Sequence, residues 1–297
     1  MSALLETCDE HPACEIREPT IPLIPLVIAS PHSGNAYSAE FLAASRLELA
    51  TLRRSEDSFV DELFADAPAL GAPLLAALFP RAFCDVNRER WELDPDMFAD
   101  ALPDFCNTSS RRVAAGFGTI ARVVSNGSSI YKRKLRFEEA KVRVETYWEP
   151  YHAALRSLLA RALAQFGRCL LIDCHSMPDE PASRSRAPAS FVLGDAHGSA
   201  CAPEIVRFIE RHLESGGHLV RRNDPYAGGY ITREYGRPRE GVHVLQLEIA
   251  RRLYMDEQTR RKRDGFGPLQ GELSRLLGQL AKLVTGWTDT GDWPAGS

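Results

Sequence analysis

Three short apolar runs that each stop on a histidine or a carboxylate constrain this chain more than any other feature. Residues 24–30 run into Pro31-His32-Ser33-Gly34, residues 169–172 into Asp173-Cys174-His175-Ser176, and residues 243–247 into Glu248. Runs of this length read as buried strands, and the segments between them show the 3.6-residue period of amphipathic helices. Strands alternating with helices specify an α/β fold on a central sheet. In open α/β sheets the ligand crevice lies outside the carboxyl ends of the strands, so histidines and acids delivered there converge.

The pattern predicts the elements in more detail. Residues 23–29 lie between Pro22 and Pro31 and read as a strand. Residues 56–67 set Phe59, Val60, Leu63 and Phe64 on one helical face, which predicts a helix with Asp57 near its start. Residues 74–79 and 82–86 read as two short strands, the second ending in Asp85, Asn87 and Arg88. Residues 137–165 predict a long helical region interrupted at Pro150. Further strands are expected at 169–172, from 191 to 193 and at 242–249, and a helix at 203–213. The proline- and arginine-bearing stretch 176–190 reads as a surface loop or lid. With no repeat and no linker, residues 1–297 are expected to form a single domain with frayed ends at about 1–20 and 286–297.

Composition excludes several classes of function. A hydrophobic fraction of 44% supports a buried core, and arginines spread along a chain of net charge -4 argue against a nucleic-acid partner. Seven cysteines without framework spacing, with Cys84, Cys169 and Cys174 in or beside apolar runs, read as reduced thiols and predict a cytoplasmic protein. No signal-peptide pattern and no membrane-spanning run is expected.

The site chemistry follows from residue types. A catalytic divalent metal such as zinc needs about three ligands from histidine and carboxylate, with one position left open for water. His32 and His175 are the imidazole candidates. Asp57 is either the third ligand or a charge favoured at a helix N-terminus. Glu248 lies in an apolar segment, where a carboxylate must be paired or reactive. It is read as a general base, with a salt bridge to Arg251 or Arg252 as the alternative. Asp173 is expected on the opposite side of the strand from His175, or orienting a ligand from outside the metal shell. Arg88 and Arg233 offer planar forks for a substrate carboxylate. Asn87 lies beside the first, and the Gly228-Gly229 turn with Tyr230 beside the second.

In order along the chain, Ser30-Pro31-His32-Ser33-Gly34, Glu56-Asp57-Ser58-Phe59-Val60-Asp61-Glu62-Leu63, Asp85-Val86-Asn87-Arg88, Asp173-Cys174-His175-Ser176, Gly228-Gly229-Tyr230-Ile231-Thr232-Arg233 and Gln246-Leu247-Glu248-Ile249 resemble the N-formylglutamate amidohydrolase family, over roughly residues 25–257. The resemblance implies a three-layer α/β/α fold with a central mixed sheet, phosphorylase/hydrolase-like and similar to zinc carboxypeptidases. It implies hydrolysis of N-formyl-L-glutamate, or a related N-acyl amino acid, to formate and glutamate by metal-activated water, a step of histidine degradation. It further implies a metal, with zinc expected, at His32 and His175, completed by Glu56 or Asp57, of which Asp57 is taken, and a catalytic role for Glu248. Substrate contacts are expected at Arg88, Asn87, Gly229, Tyr230 and Arg233. Ser33 and Glu56 depart from the better-defined deformylases and place the chain nearer the family's broad branch. The competing readings are a thiol hydrolase using Cys174 and a catalytically silent binding protein.

Overall fold

The structure, a computed structural model, describes residues 12–124, 127–179 and 187–286. The chain divides into two compact units. One takes described residues up to 15, with 34–56 and 77–151; the other takes 16–33, 57–76 and described residues from 152 onward.

Strands β1 (Cys14–Arg17), β2 (Leu26–Ser30), β3 (Leu74–Ala77), β4 (Cys169–Met177), β5 (Phe191–Gly194), β6 (Val220–Arg222) and β7 (Val242–Ala250) form a sheet of order β1-β3-β2-β4-β7-β5-β6. β2 is parallel to β3 and β4, β4 to β7, and β5 to β6. β5 meets β7 antiparallel, so the sheet is mixed, as the resemblance implies. Helices are α1 (Ala39–Ala44), α2 (Leu49–Leu52), α3 (Val60–Leu63), α4 (Arg111–Ala114) and α5 (Phe137–Arg143), followed by α6 (Glu149–Phe166), α7 (Pro203–Ser215), α8 (Tyr230–Tyr235) and α9 (Phe266–Thr285).

Strand alternation sorts the larger unit's sheet into two chemically different faces. Leu170, Ile172 and Cys174 of β4 join Leu245, Leu247 and Ile249 of β7 in one hydrophobic core. The core is closed by α3, α7 and α9, the last burying Leu269, Leu273, Leu276, Leu277, Leu280 and Val284 at helical spacing. Each such side chain removed from water contributes roughly 1.5–3 kcal/mol, which fixes the register of the strands beneath. The intervening residues Asp173 and His175 of β4, and Gln246 and Glu248 of β7, therefore share the opposite face.

Several elements differ from the sequence expectation. β4 continues to Met177 because β7 supplies a partner for every residue from Cys169 to Met177, so His175 lies within the strand rather than past its end. The helix expected over residues 56–67 shrinks to α3, since Phe59 takes a left-handed φ of 67° before it and a separate 3-10 turn, Ala67–Leu70 with Pro68 in its first positions, follows it. Residues 82–86 are not a strand. Pro80 opens a turn there, its carbonyl accepting the Phe83 amide at 2.9 Å, although Ala82, Cys84 and Val86 are buried as expected. The interruption near Pro150 is a π turn at Val144–Trp148, placed where proline cannot supply a donor. In the expected loop at 176–190, Ser176 and Met177 belong to β4, and residues 180–186 lie outside the described residues. The expected frayed ends lie mostly outside them too, although Cys14–Arg17 forms β1.

Candidate active site

β2 ends at Ser30, and His32 follows Pro31 with its carbonyl accepting the Asp57 amide at 3.0 Å. That backbone clip carries Asp57 to the carboxyl end of β2 in a tight turn rather than at a helix start. The left-handed Phe59 that closes the turn costs about 1–2 kcal/mol. Neighbouring β4 brings His175 to the same place.

The three side chains are buried, and their ligating atoms form a small triangle. His32 Nδ1 lies 3.1 Å from His175 Nδ1, His175 Nδ1 lies 3.1 Å from Asp57 Oδ2, and His32 Nδ1 lies 3.4 Å from Asp57 Oδ2. Tetrahedral ligands bound to zinc at about 2.0–2.1 Å are separated by about 3.3–3.4 Å, so two imidazoles and one carboxylate meet close to the spacing of such a centre, two of the three separations being slightly shorter. Glu56 instead accepts two bonds from Arg53 Nε, at 2.9 and 3.2 Å.

The surroundings reinforce this arrangement. His175 Nε2 lies 3.1 Å from Asp173 Oδ2, so with a cation in the centre the ring would keep its proton on Nε2 and turn the Nδ1 lone pair to the cation. Asp173 thus sits on the same side of β4 as His175, because residues two apart on a strand share a face, and it takes the orienting role. The other oxygen of Asp57, Oδ1, accepts from the Ser176 hydroxyl at 3.0 Å and from Arg251 Nη2 at 3.3 Å, while Arg251 Nε donates to Ser176 at 3.1 Å. Both titration shifts point the same way. Burial opposes ionisation of Asp57, yet its histidine partners hold its carboxyl well below the usual range. Burial likewise opposes charge on His175, yet Asp173 and Asp57 outweigh it and push the imidazole well up. The centre attracts positive charge, as a cation site must.

Glu248 is the register partner of His175 across the parallel β4–β7 ladder. Its Oε1 accepts from Gln246 Nε2 at 2.7 Å. Of the arginines weighed as its partners, Arg251 donates to Asp57 and Ser176, and Arg252 to Asp179 and the Ala189 carbonyl.

The expected substrate residues are in different states. Gly229 donates its amide to Gln246 Oε1 at 2.7 Å, and Gly228 holds a φ of 115° against Thr232, where a Cβ would come within 2.7 Å of a methyl. Tyr230 stands edge-on to His152, and Arg233 is exposed with one bond to the Gly228 carbonyl at 3.2 Å. In the smaller unit, Arg88 donates to the carbonyls of Phe117 and Asn87, each at 2.8 Å, and lies 3.7 Å from Asp85. Burial lowers its guanidinium to about 10, which leaves it a cation at neutral pH. Asn87 is buried, with its backbone N–H donating to Asp85 Oδ1 at 2.9 Å.

Cys174 points away from this centre into the hydrophobic core, and burial pushes its thiol well up. A thiolate nucleophile is therefore disfavoured.

Comparison with known proteins gives the family. The profile of the N-formylglutamate amidohydrolase family matches residues 24–255, most of the chain. The chain belongs to this family. It is 31% identical over 269 residues to N-formylglutamate deformylase of Pseudomonas putida, covering 86% of this chain and 92% of that one. It is also 31% identical over 247 residues to the deformylase of Pseudomonas aeruginosa PAO1, covering 79% and 84%. A crystal structure of N-formylglutamate amidohydrolase from Ralstonia eutropha JMP134 superposes with a TM-score of 0.87 at 37% identity, covering 92% of this chain and 98% of that one. As an N-formylglutamate amidohydrolase family member, the chain is a hydrolase acting on an amide bond. Among the described residues no helix is long and apolar enough to cross a membrane.

Sequence reasoning did not assign Ser176 or Gln246 a role, and it named Arg251 only as a possible partner of Glu248. Ser176 and Gln246 lie in segments that carry the resemblance, and the two-residue period from His175 and Glu248 gives the signal for Asp173 and Gln246. Nothing local marks Arg251, which reaches Asp57 across 194 positions of sequence.

Proposed function

We propose that this protein hydrolyses N-formyl-L-glutamate to formate and L-glutamate, with a divalent metal, zinc in our reading, held by His32, Asp57 and His175. The observation that carries the reading is the triangle of His32 Nδ1, His175 Nδ1 and Asp57 Oδ2 backed by the Asp173–His175 contact. A cation bound there supplies a Lewis acid that lowers the pKa of water toward neutrality. Glu248, beside His175 on the next strand, takes a proton from the attacking water and returns it to the departing amine nitrogen. Asp173 holds the His175 tautomer, and Ser176 with Arg251 holds the Asp57 carboxylate in one rotamer. Gly229, Tyr230 and Arg233, and in the smaller unit Asn87 and Arg88, are proposed as substrate contacts, the arginines serving carboxylates of an N-formyl amino diacid.

The test is product analysis. Purified protein given N-formyl-L-glutamate is expected to release formate and glutamate in equal amounts. Release from other N-acyl amino acids but not from this one would replace the substrate, and release from none would overturn the reading.

A further inference from the structure

Gln246 is a buried amide with both ends engaged on the polar face of the sheet. Its Oε1 accepts the Gly229 amide at 2.7 Å, and its Nε2 donates to Glu248 Oε1 at 2.7 Å. The two bonds fix its orientation. Exchanging the amide's ends would set Nε2 against the Gly229 N–H, donor to donor, and Oε1 against the carboxylate, acceptor to acceptor, and each clash inside a buried site is costly. A backbone donor in the glycine turn thus dictates that Gln246 presents a proton to Glu248. The turn itself is held closely: a Cβ on Gly194 at the end of β5 would lie 2.8 Å from the Gly228 nitrogen, and Gly228 takes a conformation that other residues avoid.

We propose that Gln246 is a positioning residue that locks the Glu248 carboxylate to the Gly228-Gly229 turn, so that the proton-transferring group and the proposed substrate-binding turn keep a fixed mutual geometry. The inference rests on the assignment of Glu248 as the base. A general base acts only when held within hydrogen-bond reach of the proton it removes, and a carboxylate on a two-methylene stem otherwise samples several rotamers. The role belongs to turnover rather than to affinity.

The experiment is a double-mutant cycle on the metal-replete protein, reading kcat and KM separately for formate release. Gln246→Met keeps the volume and removes both bonds, while Gln246→Asn keeps the amide but is too short to span both partners. Each is expected to lower kcat by about tenfold or more, the scale of one hydrogen bond to a charged group, with KM within about twofold. In a Glu248→Gln background the same substitutions are expected to add little further loss. If Glu248→Gln cuts kcat and Gln246→Met then lowers it by the same factor as in the wild type, the positioning role is overturned while the base assignment stands. A raised KM with kcat retained in both Gln246 variants also overturns it. Full kcat in Glu248→Gln alone overturns the base assignment itself, and this inference with it. Because two variants of different size are used, a folding failure in one, seen as lost cooperative melting, leaves the other to decide.

Discussion

His175 and Glu248 stand directly opposite each other in the parallel register of β4 and β7, one contributing to the candidate metal centre and the other to the proposed proton transfer. Two strands of equal length, paired from end to end, thereby set the spacing between the candidate ligand and the proposed base without any flexible loop. If Glu248 transfers the proton, Glu248→Gln keeps shape and metal content but lowers kcat by roughly a hundredfold or more. Steady-state kinetics beside metal analysis checks this, and an unchanged kcat removes Glu248 from the mechanism.

Asp173 is fully buried with its carboxylate on His175 Nε2. Replacing it by Asn frees the histidine tautomer and weakens the basicity of Nδ1, so metal affinity is expected to fall roughly 10–100-fold. Competition with a chromophoric chelator measures this directly. Wild-type affinity in Asp173→Asn would show that the pair is not needed to orient the ligand.

Much of this arrangement was legible in the sequence, and the reasons differ by element. The run before His32 lies in a strand buried on both faces and reads as an uninterrupted apolar stretch, whereas β7 alternates, with Gln246 and Glu248 set between Leu245, Leu247 and Ile249. β4 did not read to its end, because the polar face puts Asp173 and His175 into the strand and breaks the run. Residues 82–86 carry the burial of a strand but sit in a turn started at Pro80, a case in which hydrophobicity reports packing and not backbone pairing. Arg251 was illegible because its role depends on a contact made only after the sheet has assembled.

The proposed carboxylate contacts can be separated by substrate choice. Arg88→Lys and Arg233→Lys keep the charge but lose the planar fork, so KM for N-formyl-L-glutamate is expected to rise with smaller change in kcat. An arginine that meets the side-chain carboxylate must, once replaced, narrow the preference over N-formyl-glutamine. Arg88 already donates to two backbone carbonyls, so a fall in melting temperature with the preference intact would assign it a structural role instead.

His243 of β7 accepts the Ala202 amide at 3.2 Å, and burial with the nearby Arg168 lowers its imidazole to about 4. The neutral form is favoured in the folded state, while the unfolded chain takes up a proton near its ordinary value of about 6.5. Its contribution to stability is therefore complete above about 6.5 and is lost progressively as pH falls toward about 4. His243→Gln is expected to flatten the decline of melting temperature across that window. An identical decline in both proteins would place the acid sensitivity elsewhere.

Formate release from N-formyl-L-glutamate, measured on wild-type, His32→Ala and His175→Ala proteins after chelation and again after zinc is restored, tests the account most directly. The wild type is expected to lose turnover on chelation and regain it with about one zinc per chain, while both variants retain a cooperative melting transition and bind little metal. Full turnover in the chelated wild type, or stoichiometric zinc in both variants, would contradict a metal centre at His32, Asp57 and His175.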